Sequence, residues 1–114
     1  MQVALHKYSI NLYKIITILK SLPILRLVWV SSTPVDTEIH NSRLTVFRRY
    51  AQDVVRYNEA AASLMEAEGI PVIDLHSFTI GIGFPQCLSD HVHYKPYARK
   101  RQAEFIFTEI QRIV

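Results

Sequence analysis

Asp90 and His93 are the residues whose types and spacing point most directly to catalysis. They lie three residues apart in the segment Leu88–Pro96, which is predicted to be a loop. A carboxylate beside an imidazole fixes one tautomer of the ring and stabilises the imidazolium that forms when the other ring nitrogen takes a proton. The pair therefore predicts a general base. The sequence shows no recognisable nucleophile or oxyanion hole to accompany it.

His91 stands between these two residues, so a metal site is an alternative interpretation. Asp90, His91 and His93 could ligate zinc, but a closed structural site needs a fourth ligand, and no clear one is present. We therefore expect no metal. Cys87 could act as a thiolate near a histidine, yet a lone cysteine is predicted to be a small buried hydrophobe.

The other candidate side chains are predicted to have structural roles. Four serines fall near the sheet edge where the pair is expected: Ser31, Ser32, Ser77 and Ser89. None stands in the strained G-x-S-x-G turn that exposes a nucleophile, so we expect them to cap helices and form turns. Asn58 and Asp74 are predicted to hydrogen-bond neighbouring loops.

Composition limits the class of protein and its partners. The chain has 114 residues, enough for one small domain, and its net charge of +3 is spread too widely to indicate a nucleic-acid partner. The single cysteine excludes an internal disulfide framework and favours a reducing compartment such as the cytoplasm. Lys14, Lys20 and Arg26 interrupt the apolar stretch Ile10–Val30, so we expect neither a membrane span nor a signal peptide.

The elements that must position the pair follow the order α-β-α-β-α. Apolar residues recur at helical spacing in three segments, and two short runs rich in β-branched residues separate them. The helices are predicted at 8–19, at 42–68 and from Pro96 onwards, the buried strands at Ile24–Val30 and Pro71–Leu75, and a long loop at 76–95. A strand, a helix and a second strand imply parallel pairing, with catalytic groups beyond the carboxyl ends of the strands.

Local signals place some of these boundaries. Gly69 can adopt the left-handed conformation that ends a helix, and Pro71 cannot extend it. Pro96 suits the first turn of the last helix. In the predicted loop, Phe78, Ile80 and Phe84 either line an acyl pocket or pack over the edge of the sheet.

Four segments, taken in order, resemble the SGNH hydrolases, the GDSL-type esterases and lipases. They are Leu27-Val-Trp-Val-Ser-Ser-Thr-Pro-Val35, Val55-Arg-Tyr-Asn-Glu-Ala60, Gly69-Ile-Pro-Val-Ile-Asp-Leu75 and Asp90-His-Val-His-Tyr94. The resemblance covers nearly the whole chain but only the carboxyl-terminal half of a family domain. It implies a flavodoxin-like three-layer α/β/α fold with a parallel sheet, of which residues 1–114 are a truncated portion.

The resemblance also implies the hydrolysis of carboxylic esters, with His93 as the base and Asp90 as its orienting partner. A small acyl ester, a lipid ester or an acetylated sugar would be the substrate, and no cofactor is needed. The chain departs from the family because it has no Gly-Asp-Ser block and no oxyanion glycine or asparagine block, and because Tyr97-Ala98 follows where a glycine is frequent. We therefore expect the chain to be inactive as an esterase when alone.

The alternative function is a non-catalytic interaction module. Two strands alone are marginally stable, and an open sheet edge is a template for pairing with another strand. Self-association through that edge is the partner interaction that the sequence predicts.

Overall fold

The computed structural model describes residues 3–24, 26–35, 44–90 and 93–113. Within them lie four helices and two short strands. They are α1 Leu5–Lys20, β1 Trp29–Val30, α2 Leu44–Ala67, β2 Val72–Ile73, α3 Leu75–Gly81 and α4 Pro96–Ile113. The predicted start of the second helix, at residue 42, lies outside the described residues.

The prediction of a flavodoxin-like three-layer α/β/α fold is wrong. The described chain is mostly helical, and its sheet contains two strands of two residues each. A ladder extends only where a neighbouring strand supplies hydrogen-bond partners, and residues 26–28 have no such neighbour among the described residues. Val72 is also exposed, so the expectation that both strands are buried on both faces is wrong.

The predicted parallel pairing is confirmed. Trp29 is opposite Val72 and Val30 is opposite Ile73. The backbone N–H of Trp29 donates to the carbonyl of Pro71 at 2.9 Å, and that of Ser31 donates to Ile73 at 3.0 Å. The two strands therefore end at the same edge, where Ser31 and Asp74 begin the following segments.

A first apolar cluster packs α1 against α2, which confirms both predicted helices. Its buried members are Leu12, Ile16, Ala61, Met65 and Ile70. The chain turns between α2 and β2 at Gly69, whose φ of 71° is the left-handed conformation expected there.

Met65→Ala should lower the free energy of unfolding by about 2–5 kcal/mol, because Met65 is 2% exposed within this cluster. Urea titration followed by far-ultraviolet circular dichroism measures the change. Glu66→Ala alters the next residue, which is exposed, and should leave the midpoint nearly unchanged. Similar midpoints for the two variants would show that α1 and α2 do not depend on this contact.

A second cluster lies beneath the loop that carries the candidate pair. Its buried members are Cys87, Leu88, Tyr94 and Ala98, with Ile82 and Phe84 packed against them. Cys87 is fully buried, which confirms its prediction as a small hydrophobe, and burial raises the pKa of its thiol.

The predicted loop at 76–95 is wrong over its first residues, which form α3. The Asp74 carboxylate accepts a hydrogen bond from the Ser77 N–H at 3.0 Å and caps the helix. Phe78 stacks on Phe105 of α4 with ring centroids 4.2 Å apart. Helix α4 begins at Pro96, as predicted.

Among the described residues, no helix is both long enough and apolar enough to cross a membrane.

Candidate functional site

The loop that carries Asp90 and His93 is closed at its base by backbone pairing. Leu88 and Tyr94 form an isolated antiparallel bridge. The Ser89 N–H donates to the His93 carbonyl at 2.8 Å, and the Lys95 N–H donates to the Cys87 carbonyl at 2.9 Å. Because Cys87 and Leu88 are buried, the base of the loop is anchored in the second cluster, whereas Asp90 and His93 are exposed.

The Asp90 carboxylate makes two contacts with His93. One oxygen accepts the His93 backbone N–H at 2.7 Å, and the other lies 2.7 Å from the ring Nδ1. The first contact fixes the turn, and the second fixes the ring on that turn. The structure therefore brings together the two residues that the sequence paired.

This geometry favours one protonation pattern of the neutral ring. A carboxylate accepts hydrogen bonds, so its contact with Nδ1 favours the tautomer in which Nδ1 carries the proton and Nε2 has the free lone pair. Nε2 is then the atom that can accept a proton. The His93 side chain is 76% exposed and that of Asp90 is 49% exposed, so water screens their mutual attraction.

Tyr94 connects this loop to the end of β1. Its hydroxyl donates to the carbonyl of Pro34 at 2.7 Å, and the residue is 9% exposed. Burial raises the pKa of Tyr94 to about 12, although a hydrogen bond with Thr33 opposes the shift. The contact confirms that the loop after β1 and the His93 loop lie at the same edge. The sequence analysis did not predict this anchoring role of Tyr94. The only indication in the sequence is that a tyrosine stands directly after the candidate base.

Tyr94→Phe should lower the free energy of unfolding by about 1–2 kcal/mol, because it leaves the Pro34 carbonyl without this buried donor. Chemical denaturation measures the loss. Tyr97→Phe removes a hydroxyl from a tyrosine that is exposed on α4, and it should be close to neutral. Equal stability of the two variants would show that the hydroxyl of Tyr94 does not anchor the loop.

Three of the four candidate serines, Ser31, Ser77 and Ser89, have structural roles of the kind predicted for them. Ser77 caps α3 through Asp74, and the hydroxyl of Ser89 donates to the His93 carbonyl at 3.2 Å. The hydroxyl of Ser31 accepts the N–H of His76 at 3.0 Å. In the part of the chain that the structure describes, no serine hydroxyl is bonded to the ring of His93.

Asn58 fastens α2 to the segment that follows β1, as predicted. Its amide oxygen accepts the Ser32 N–H and its amide nitrogen donates to the Ser32 carbonyl, both at 2.9 Å. The side-chain amide of Asn58 thereby pairs with the backbone of Ser32, in the way that a neighbouring strand would. Asn58 is a structural residue of the edge.

Asp74 has the structural role predicted for it, because it joins the two strand ends. Its carboxylate accepts the Ser31 hydroxyl at 3.4 Å and the Ser77 hydroxyl at 2.7 Å. Partial burial raises the pKa of Asp74, but the hydrogen bonds from Ser77, the nearby His76 and the Ser31 hydroxyl outweigh it, so the pKa lies below its usual value.

Asp74→Ala should lower the free energy of unfolding at neutral pH by about 0.5–2 kcal/mol, the usual cost of losing a helix cap. A carboxylate with a lowered pKa in the folded state contributes stability above the pKa of the unfolded chain. That contribution is lost as the pH falls through the folded value, so the difference from the parent should shrink below about pH 4. Denaturation curves over a pH series measure this difference in the free energy of unfolding. A difference that does not change with pH would show that the effect does not come from the carboxylate charge.

The remaining predictions at the site have separate outcomes. His91, the third residue of the alternative metal site, lies outside the described residues. Within the described part of the chain, no three His, Cys, Asp or Glu side chains are grouped so that they could hold a metal ion. Phe78 packs on α4, Phe84 packs on the second cluster, and Ile80 is exposed, so these three side chains do not converge on one acyl pocket.

Comparison with known proteins gives no match. No family model, curated protein or solved structure is significantly similar to the chain. The resemblance to SGNH hydrolases therefore stays a prediction, and the geometry of Asp90 and His93 is the main structural indication of function.

Proposed function

We propose that the Asp90–His93 pair is the general base of a carboxylic-ester hydrolase. The observation that carries this proposal is the contact of one Asp90 oxygen with the His93 ring Nδ1 at 2.7 Å, while the other oxygen holds the His93 backbone. A base held in this way takes a proton from a hydroxyl or water while that nucleophile attacks the ester carbonyl. The base then gives the proton to the leaving group.

The position of the pair supports the same proposal. Tyr94 ties the loop to Pro34, just beyond β1, and reactive groups of parallel sheets collect at the carboxyl ends of strands. His93 is exposed enough for an ester to reach Nε2. The order and spacing of the four segments that resemble SGNH hydrolases point to an ester rather than another acyl compound.

The pair does not supply a whole esterase. A base raises the reactivity of a nucleophile, whereas a poor leaving group also requires stabilisation of the oxyanion, which is usually the larger effect. The chain alone should therefore hydrolyse activated esters, whose leaving groups depart readily, and the inactivity that the sequence predicts for it applies to ordinary esters. It should not act on unactivated ones, for which a serine and an oxyanion hole must come from another polypeptide segment.

Hydrolysis of p-nitrophenyl acetate by the full chain tests the proposal. The reference is free imidazole at the concentration of all five histidines of the chain. The chain should be at least about tenfold faster than this reference, since general-base contributions in folded sites exceed those of a free base. Ethyl acetate should not be hydrolysed. A rate equal to that of free imidazole would contradict the proposal.

A second candidate function is an interaction module, favoured by the open sheet. Each strand has one neighbour among the described residues, so Val30 and Val72 direct their backbone groups away from the ladder. Such an edge can pair with a strand of a second copy. Sedimentation velocity over a range of concentrations distinguishes the two functions, because edge pairing predicts a reversible dimer, whereas a base in a monomer does not require one.

A further inference from the structure

Helix α1 has two opposite faces with different surroundings. Leu12 and Ile16 are buried on the face that packs against α2. The opposite face, which we call the outer stripe, consists of exposed residues that follow one another at steps of three or four. They are Lys7, Ile10, Lys14 and Ile18. The last three stand two residues from Leu12 or Ile16, about 200° around the helix axis, so the outer stripe points away from α2.

Large apolar side chains are exposed along this side of the helix. Ile10 is 50% exposed and Ile18 is 62% exposed. Ile15 and Leu22 are exposed as well, and they lie one helical turn before and after Ile18. Single exposed apolar residues are common on any protein, but a group of neighbours marks a surface that binds something.

The charges of α1 all have one sign. The helix carries Lys7, Lys14 and Lys20 and contains no Asp or Glu. Lys20 forms an ion pair with Glu68 of the following turn at 3.2 Å. Within the described part of the chain, Lys7 and Lys14 have no ion pair. A second copy docked through the same face would bring these lysines against their own kind, whereas an anionic surface complements them.

Helix α4 also has basic and exposed apolar residues, but its charges are mixed. It contains Lys100 and Phe107 together with Glu104 and Glu109. Glu109 accepts a hydrogen bond from Arg112 at 2.8 Å. The acidic residues oppose the attraction of α4 to an anionic surface, so α1 is the helix whose charge and apolar groups favour the same partner.

We propose that the outer stripe of α1 docks on the surface of an anionic lipid bilayer, with the helix parallel to the membrane plane. Ile10 and Ile18 enter the boundary between headgroups and acyl chains. Lys7 and Lys14 extend their aliphatic stems along that boundary and place their ammonium groups at the lipid phosphates. A bilayer supplies both layers along the whole stripe, which alternates between the two residue types. The buried face stays on α2, and the surface is independent of the Asp90–His93 pair.

Co-sedimentation of the full chain with phosphatidylcholine vesicles, with or without about 30 mol% phosphatidylglycerol, tests the proposal. The chain should partition at least about fivefold more strongly onto the anionic vesicles, since each lysine near such a surface contributes about this factor. Added salt should weaken that partition because it screens the lysines. Equal partition onto both kinds of vesicle, or none onto either, would overturn the proposal.

Ile18→Ser tests the apolar part of the contact, and Phe107→Ser on α4 is its matched control, because both side chains are 62% exposed. The first variant should partition onto anionic vesicles about tenfold more weakly, as expected for a large aliphatic side chain that leaves water on binding. The second should keep the parent partition. Circular dichroism checks that both variants remain folded. Equal losses would show that α1 is not the docking helix.

Lys14→Gln and Lys100→Gln make the same comparison for charge, since both lysines are exposed and both changes lower the net charge by one. Lys14→Gln should weaken partition about fivefold, whereas Lys100→Gln should leave it nearly unchanged. The same loss in both variants would assign binding to net charge and contradict a role for the outer stripe.

Two other partners of the outer stripe give different results in these assays. Polyglutamate in free solution offers anions without an apolar layer. Binding to polyglutamate as tight as to vesicles, and equal for the parent and Ile18→Ser, would overturn the proposal. Sedimentation velocity without lipid tests a second copy. A dimer that Ile18→Ser abolishes, together with no binding to vesicles, would show that another copy of the chain covers this face.

Discussion

Replacement of His93 by alanine is expected to lower the rate at which the chain hydrolyses p-nitrophenyl acetate by roughly tenfold or more. This is below the roughly 10²–10⁴-fold effect of a general base in a complete active site, because the other histidines also react with this ester. The ring of His93 is held by a carboxylate, through the 2.7 Å contact of Nδ1 with Asp90. Since its side chain is 76% exposed, its removal should not affect packing. Initial rates and circular dichroism spectra of the two proteins measure both parts of this expectation.

His6→Ala is the control for the number of histidines. His6 is exposed on α1, so it can react with an activated ester as free imidazole does. Its loss should lower the rate only by its share of the accessible histidines. If the His6 and His93 variants lose the same share of the rate, His93 is an ordinary surface histidine, and the proposed base is contradicted.

The helices were predictable because their signals are local. The apolar stripe that places Ala61 and Met65 against α1 follows from residue spacing along one segment. The end of α2 depends on Gly69 itself, since its φ of 71° would strain most other residue types. Pro96 likewise begins α4 through its own backbone geometry.

The sheet was not predictable in the same way, because a strand is defined by a partner elsewhere in the chain. The run Ile24–Val30 has the composition of a strand, yet only Trp29 and Val30 find a partner among the described residues. Helix α3 was missed for a different reason. The Asp74 carboxylate caps this helix by accepting the Ser77 N–H. The apolar residues after Ser77 lack a clear helical spacing and therefore suggested a loop.

The candidate site likewise combines a local contact, which was predictable, with a long-range one, which was not. Asp90 and His93 are three residues apart, so their contact could be predicted from spacing and residue type. The link of Tyr94 to Pro34 spans 60 residues and depends on how the loop packs on the sheet edge. No local pattern carries that information.

Asp90→Asn should remove most of the His93-dependent rate, again by roughly tenfold or more, while the loop keeps its shape. The asparagine oxygen can still accept the His93 backbone N–H, which preserves the turn. Its amide NH₂ then faces Nδ1 and donates where the carboxylate accepted. The ring is driven into the tautomer with the proton on Nε2, and the atom that should act as the base no longer has a free lone pair.

Nitrogen NMR of the His93 ring reads this tautomer directly, so the prediction has a test that does not depend on turnover. Nδ1 should carry the proton in the parent chain and Nε2 should carry it in Asp90→Asn. Asp53→Asn changes an acid on α2 that pairs with Arg56, and it should alter neither the tautomer nor the rate. A changed tautomer with an unchanged rate would separate orientation from catalysis and reject Asp90 as a functional partner. An unchanged tautomer would instead mean that solvent, and not the carboxylate, decides the state of this exposed ring.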